Sequence, residues 1–192
     1  MRLLLGTLFA LIVAAAVGLG ATYLALTRGA AFGSLTIGSW TAWPKTGTVD
    51  ADPYARASIA RIGQLPIALG DGVSFTAKND DNGKLLDGRC DVVLSGITPA
   101  ARFWTLTLYT ANGELTANSI NRYGFTSQEI VRHADGSFEI VASPRANPGN
   151  WLPTGGVERY TLLLRFYDTA VGVSTKAGRE IPMPAISTRG CR

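Results

Sequence analysis

The sequence predicts a mainly β fold: an antiparallel β-sandwich, jelly-roll-like, with one or two short helices and a single transmembrane helix in front. Three observations predict it. The stretch Ala101–Leu115 alternates Trp104, Leu106 and Leu108 on one face with Phe103, Thr105, Thr107 and Tyr109 on the other, then meets an Asn112-Gly113 turn. Strict alternation marks a strand with one face in a core and one face more polar. A second stretch, Arg159–Tyr167, supplies a partner wall of the same kind. The run from Leu3 to Thr27 carries no charge. As a helix it outspans the roughly 30 Å hydrocarbon core of a bilayer.

Taken in order, the chain divides into a signal-anchor helix (1–28), a juxtamembrane spacer (29–49) and a β domain (50–192). A cleavable signal peptide has a shorter apolar core and a small-x-small cleavage site. Ala21-Thr22-Tyr23 and Gly29-Ala30-Ala31 are poor versions of such a site, so an uncleaved anchor is expected, with cleavage as the alternative. The spacer is rich in Gly, Ala, Ser and Thr, with a short strand near Leu35–Ile37. Trp40 and Trp43 either sit at the membrane interface or pack under the domain, and packing is the expectation.

Asp52-Pro53-Tyr54 opens a helix: Asp caps, Pro suits the first helical position, and Gly63 suits the far end. Ala55, Ile59 and Ile62 share a face at helical spacing, and the helix is expected to plug one side of the β structure. Val73–Lys78 alternates as a strand, and Asp80-Asp81-Asn82-Gly83 reads as its turn. Cys90–Leu94 is a short strand. Glu129–His133 and Ser137–Val141 are expected as a hairpin across Asp135-Gly136. Ser143–Gly156, full of Pro, Gly and Asn, reads as a loop around Trp151. Ile181–Ile186 reads as a proline-interrupted edge strand. Short strands at this spacing favour a sandwich over a βαβ sheet.

The formal net charge is +4, and two of the 18 basic residues, Arg2 and Arg28, flank the apolar run. The remainder holds 16 basic against 14 acidic residues, spread singly, so nucleic acid is not an expected partner. Cys90 and Cys191 are the only cysteines. Beyond a signal anchor an oxidising compartment is expected, and a lone pair there is usually bridged. A Cys90–Cys191 bridge would tie the C-terminal tail to a central strand.

Catalytic and metal patterns are missing. His133 is the only histidine and precedes a turn, which suits a solvated strand end rather than a general base. No Gly-x-Ser-x-Gly elbow, metal-ligand spacing or phosphate-binding glycine loop occurs, so no cofactor is implied. Asp80-Asp81-Asn82-Gly83 has the wrong spacing for a calcium loop. What remains is a set of Arg, Asn and aromatic residues: Arg102, Trp104, Asn121, Arg122, Tyr123, Asn150, Trp151, Arg165 and Tyr167. Such a set can bind an anionic or sugar ligand, or form internal ion pairs that lock the sandwich ends.

Asp52-Pro53-Tyr54-Ala55-Arg56-Ala57, Cys90-Asp91, Ala101–Thr107, Gly149–Pro153 and Leu164–Tyr167, in this order and spacing, resemble the domain of unknown function 1214 family, in its short membrane-anchored bacterial branch. The resemblance covers about residues 50 to 170. It implies a bacterial envelope protein with a β-sandwich domain. The apolar run and the expected bridge together place the expected chain in the inner membrane by one span, with the C-terminal domain in the periplasm. Many members carry a sister domain, the domain of unknown function 1254, in the same chain. This chain has no room for it, so a separately encoded sister-domain protein is a candidate partner. The resemblance carries no catalytic residues. The function expected is a binding or assembly module in the envelope. The alternative is an enzyme acting on an envelope glycan or lipid through carboxylates gathered by the fold.

Overall fold

The computed structural model describes residues 2–28, 33–62, 65–68, 70–171 and 181–191. The N-terminal helix α1 spans Arg2–Arg28. Its segment Arg2–Ala25 is long and apolar enough to cross a membrane, and none of it is buried against the rest of the chain. Gly29-Ala30-Ala31, weighed as a cleavage site, lies outside the described residues.

Among the described residues the strands form two sheets. The larger has six strands in the order β1-β2-β3-β9-β5-β6. Its centre is β5 (Phe103–Thr110) against β9 (Tyr160–Tyr167), paired antiparallel from Phe103↔Tyr167 to Thr110↔Tyr160. β3 (Gly72–Ala77) joins the other side of β9, and β6 (Gly124–Thr126) joins β5. The hairpin of β1 (Leu35–Ile37) and β2 (Trp40–Ala42) continues outward from β3. The smaller sheet runs β10-β4-β7-β8: Ala185–Cys191, Cys90–Gly96, Phe138–Ser143 and Asn150–Pro153. Its β7–β8 pair is parallel, and every other named pairing is antiparallel.

The alternation of β5 decides its faces: Trp104, Leu106 and Leu108 are buried, while Phe103, Thr105, Thr107 and Tyr109 are half-exposed. Leu162, Leu164 and Phe166 of β9 and Val73, Phe75 and Ala77 of β3 face the same way. Against them pack Val92, Leu94, Phe138, Ile140, Ala142, Leu152 and Ile186 of the smaller sheet. Two inner faces closing on one another give the core of a sandwich. Phe75 meets Phe166 edge-on at 6.0 Å within the larger sheet. Trp104 meets Phe138 across the two sheets at 5.5 Å. Trp40 is buried, and its indole N–H donates to the Pro184 carbonyl at 2.7 Å, just before β10.

The helix α2 spans Pro53–Ile62. Asp52 caps it, its two carboxylate oxygens accepting from the N–H groups of Tyr54 (3.2 Å) and Ala55 (3.3 Å). Gly63, expected at its far end, lies outside the described residues. The helix was expected to plug the sandwich; its main neighbour among the named elements is α1. Its apolar stripe is short, and Ala55 offers little to a sheet.

Other local readings change too. The Ser143–Gly156 segment is not all loop, because Asn150–Pro153 forms β8. A four-residue parallel strand has neither a hairpin turn nor a long alternation to announce it. The turn at Asp135-Gly136 forms, with the His133 N–H donating to Ser137 at 2.8 Å, but Glu129–His133 contributes only an isolated bridge, Arg132↔Phe138. The last strand starts at Ala185 rather than Ile181, since Pro182 and Pro184 cannot donate to a ladder. It is an edge strand, as expected. The turns at Gly83 (φ 81°) and Gly113 (φ 83°) use the positive φ that glycine adopts freely.

Candidate functional site

The nine residues singled out from sequence do not form one cluster. Trp104 and Asn150 are structural. Trp104 has the parity of the core face and lies 3% exposed between the sheets. The Arg132 guanidinium sits over both Trp104 (5.9 Å) and Phe138 (5.5 Å). Asn150 is buried, and its amide is fully used: it accepts from the Val131 N–H at 2.7 Å and donates to the carbonyls of Val131 and Glu139, both at 2.8 Å. That three-way clasp starts the parallel strand β8 and explains why an asparagine stands there.

Asn121, Arg122, Tyr123 and Trp151 gather at a second place, the loop before β6 and its neighbour β8. Asn121 holds φ at 52°, a left-handed conformation that asparagine tolerates. Asn118 closes the loop, donating to Thr116 and Arg122 carbonyls and accepting the Arg122 N–H. Arg122 donates to the Trp151 carbonyl at 3.1 Å and lies 5.1 Å from the Phe125 ring centre. The Trp151 indole donates to Ser143 at 3.0 Å. These side chains hold loops together with their polar atoms.

Arg102, Arg165 and Tyr167 form the third group, on and beside the outer face of the larger sheet. Arg102, at the strand end, donates its backbone N–H to the Asp168 carbonyl at 3.3 Å, and its side chain makes only a long, exposed approach to the Asp168 carboxylate (3.9 Å). Tyr167 packs against Phe103, the ring centres 6.0 Å apart. Arg165 is half-buried, and its guanidinium makes no hydrogen bond or ion pair among the described residues. The pairings put it in one row, Ser74–Arg165–Thr105–Thr126. Directly opposed residues share a face, with Cβ atoms about 5 Å apart. The Ser74 hydroxyl in that row is closed off from solvent and has no hydrogen-bond partner. Alternation along β5 and β9 was enough to put Arg165, Thr105 and Tyr167 on one face. Ser74 and Thr126 join them only through pairings that no local pattern carries.

The carboxylates that looked most like a ligand site hold the fold instead. The Asp80 carboxylate accepts the N–H groups of Asn82 (3.0 Å) and Lys84 (2.9 Å) and the Thr188 hydroxyl (2.7 Å). Burial pushes this carboxyl up. The Thr188 hydroxyl, the Lys84 and Asn82 amides and the Lys84 ammonium outweigh that and hold it below its ordinary value. Asp81 accepts the Ile186 N–H at 2.8 Å and the Ser39 hydroxyl at 2.6 Å. Among the described residues no group of three His, Cys, Asp or Glu side chains is placed to hold a metal ion. His133 is exposed at its turn.

Two open, shallow concavities occur among the described residues. One, about 180 Å³, lies beside α2 and is lined in part by Trp43, Asp50 and Asp52. Asp52 has both oxygens on the helix N-terminus. The other, about 310 Å³, lies over Lys84, Asp87, Arg89, Glu158 and Arg159. There Asp87 is clasped by Arg89 at 2.6 Å. Beneath this region the buried Tyr160 hydroxyl has no partner, and burial raises its phenol far above the ordinary value.

Cys90 and Cys191 are joined in a disulfide between directly paired residues of β4 and β10. The Lys84 ammonium lies 3.2 Å from the Cys191 sulfur.

One solved structure agrees with this architecture. The VPA0106 protein from Vibrio parahaemolyticus superposes with a TM-score of 0.56 at 26% identity, over 73% of this chain and 36% of its own. An uncharacterised protein from Burkholderia cenocepacia aligns at a TM-score of 0.42 and 14% identity, over 77% of this chain and 46% of its own. The match therefore spans less than half the length of either of those chains. No curated protein sequence matches it. The family model described as "Protein of unknown function (DUF1214)" matches residues 71–171, from just before β3 to just past β9, and so takes in the centre of both sheets; the chain belongs to that family.

Proposed function

We propose that this protein is a single-pass inner-membrane protein whose disulfide-closed sandwich stands in the periplasm and works as a binding or assembly module of the bacterial envelope. The observation that carries the reading is the conjunction of a membrane-length helix, its apolar window unburied by the rest of the chain, with a disulfide in the domain behind it. A cross-strand disulfide persists where thiols are oxidised, and cytosolic thiols are kept reduced. The shape supports binding rather than bond chemistry: these two dents are shallow, and Asp80, Asp81 and Asp52 are spent on backbone amides and on the Thr188 and Ser39 hydroxyls. The partner proposed is a separately encoded sister-domain protein, and the longer chain of the Vibrio relative supports looking for one.

Topology is tested with reporter fusions at Arg192, one active only in the periplasm and one only in the cytosol. Activity of the periplasmic reporter alone is the expected result; activity of the cytosolic one alone overturns the compartment. Crosslinking in living cells then tests the partner. Enrichment of a DUF1254 protein supports the assembly role, and recovery of the monomer alone counts against it.

A further inference from the structure

We propose that the row Ser74–Arg165–Thr105–Thr126, with the Phe103–Tyr167 ring pair beside it, is a binding site for an acidic sugar: a pyranose bearing a carboxylate or a phosphate. The inference rests on the binding-module reading and names the ligand class of its surface.

The argument starts from what is missing around Arg165. Its guanidinium carries a full charge and five donors in a fixed fork. In a half-buried position such a group normally finds an acidic or carbonyl partner. Four ion pairs occur among the described residues, and none includes Arg165. Glu129, at the Thr126 end of the row, accepts the Thr126 N–H at 3.2 Å and forms no ion pair with the guanidinium. The hydroxyls of Thr105 and Thr126 make no hydrogen bond among the described residues either. The row therefore presents a cation and two hydroxyl donors with no internal acceptor, which is the complement of an oxyanion.

Ser74 supplies the second observation. Its Oγ is closed off from solvent and unsatisfied. A hydroxyl in that state costs stability unless something engages it. Opposite Arg165 in the ladder, it is placed to accept one guanidinium N–H when the fork turns to clasp an anion. Ser74 is thus a positioning residue, and Arg165 the contact.

The rest of the ligand follows from the next rung. Phe103 and Tyr167 lie two residues along their strands, about 7 Å from the Arg165 rung, on the same face. Their tilted rings offer an apolar surface with a phenolic hydroxyl at its edge. A pyranose has apolar C–H faces that lie on aromatic rings, and an exocyclic carboxylate or phosphate extends from it. A bare inorganic anion would leave the ring pair unused.

The test uses the full chain in a neutral detergent, with calorimetry and saturation-transfer NMR. The probes are glucuronic acid, glucose 6-phosphate, glucose and inorganic phosphate. Glucuronic acid and glucose 6-phosphate should bind saturably, distinguishing carboxylate from phosphate by their ratio. Glucose and inorganic phosphate should each bind at least about tenfold more weakly. Arg165→Gln should weaken the acidic sugars about tenfold to a hundredfold with an unchanged melting temperature. Ser74→Ala should weaken them less, and Tyr167→Ala should erase the advantage over inorganic phosphate. Absence of saturable binding, equal binding of glucose and glucuronic acid, or indifference to Arg165→Gln each overturns the proposal. Because binding is read on purified protein, these failures are distinct from a wrong membrane topology, which the reporter fusions detect.

Discussion

The two sheets share one core and are specified differently. The larger is held by pattern: β5 and β9 pair over eight rungs, and β3 extends the ladder with the same inward parity. The smaller is held by staples. Its strands come from residues 90–96, 138–143, 150–153 and 185–191, and side chains fix each junction. The disulfide joins β10 to β4; Asp80 and Asp81 seize Thr188 and Ile186; Arg189 clasps Glu139 of β7 at 2.8 Å. Ser143 donates to Asp91 at 2.6 Å, and Asn150 starts β8. Where long alternating strands meet, burial alone sets register, because a one-residue slip would turn every apolar side chain outward. Where strands are short and distant in sequence, directional polar bonds take over that task.

The comparison can be broken most forcefully at the disulfide. Replacing both Cys90 and Cys191 with Ser releases a loop closed across 101 residues, and the chain-entropy account puts the loss at about 4–5 kcal/mol. Hydrogen exchange should then show β10 opening first while β5 and β9 stay protected; uniform loss of protection would mean that the two sheets are not separately specified. Leu164→Ala, fully buried at the centre of the larger sheet, should cost roughly 2–5 kcal/mol in denaturant unfolding, and its effect should spread across both sheets through the shared core.

Asp80→Ala sharpens the contrast on a smaller scale, at about 1–3 kcal/mol, with fraying of β10 on hydrogen exchange. The same residue predicts a pH dependence. Its folded-state value lies below the unfolded one. Its stabilisation is therefore complete above about pH 4 and is lost as pH falls through the lowered folded value. Acid unfolding of Asp80→Ala should lack that component; an unchanged acid limb would show that Asp80 is not the group concerned. Arg102→Ala should change stability by less than about 0.5 kcal/mol, since its 3.9 Å approach to Asp168 is solvent-exposed.

The same contrast explains what could be read in advance. β3, β5 and β9 were legible because a period of two needs only a few consecutive residues. The turn at Asp80–Gly83 was legible from Asn-Gly chemistry, yet its grip on β10 was not, because Ile186 lies 105 residues further on. β8 was hidden by the Pro, Gly and Asn around it and by its parallel pairing. Of the candidate surface, Arg165 and Tyr167 emerged on the outer face that alternation assigns them. Trp104 was drawn to the surface set by residue type, although its own parity places it with Leu106 and Leu108. Asn150 looked like a ligand-binding amide, and only the fold shows its three bonds going to backbone.

The place where α1 enters the domain has a mechanical consequence. In chain order β1, an outermost strand of the larger sheet, is the first strand after α1, so a pull applied to α1 would work on one ladder rung at a time. Unzipping of that kind would run inward easily until it reached Trp40. There the indole hands the load to Pro184 and on to β10, which the disulfide locks covalently to β4. Tension applied at α1 would thus be carried into the sheet that the disulfide closes.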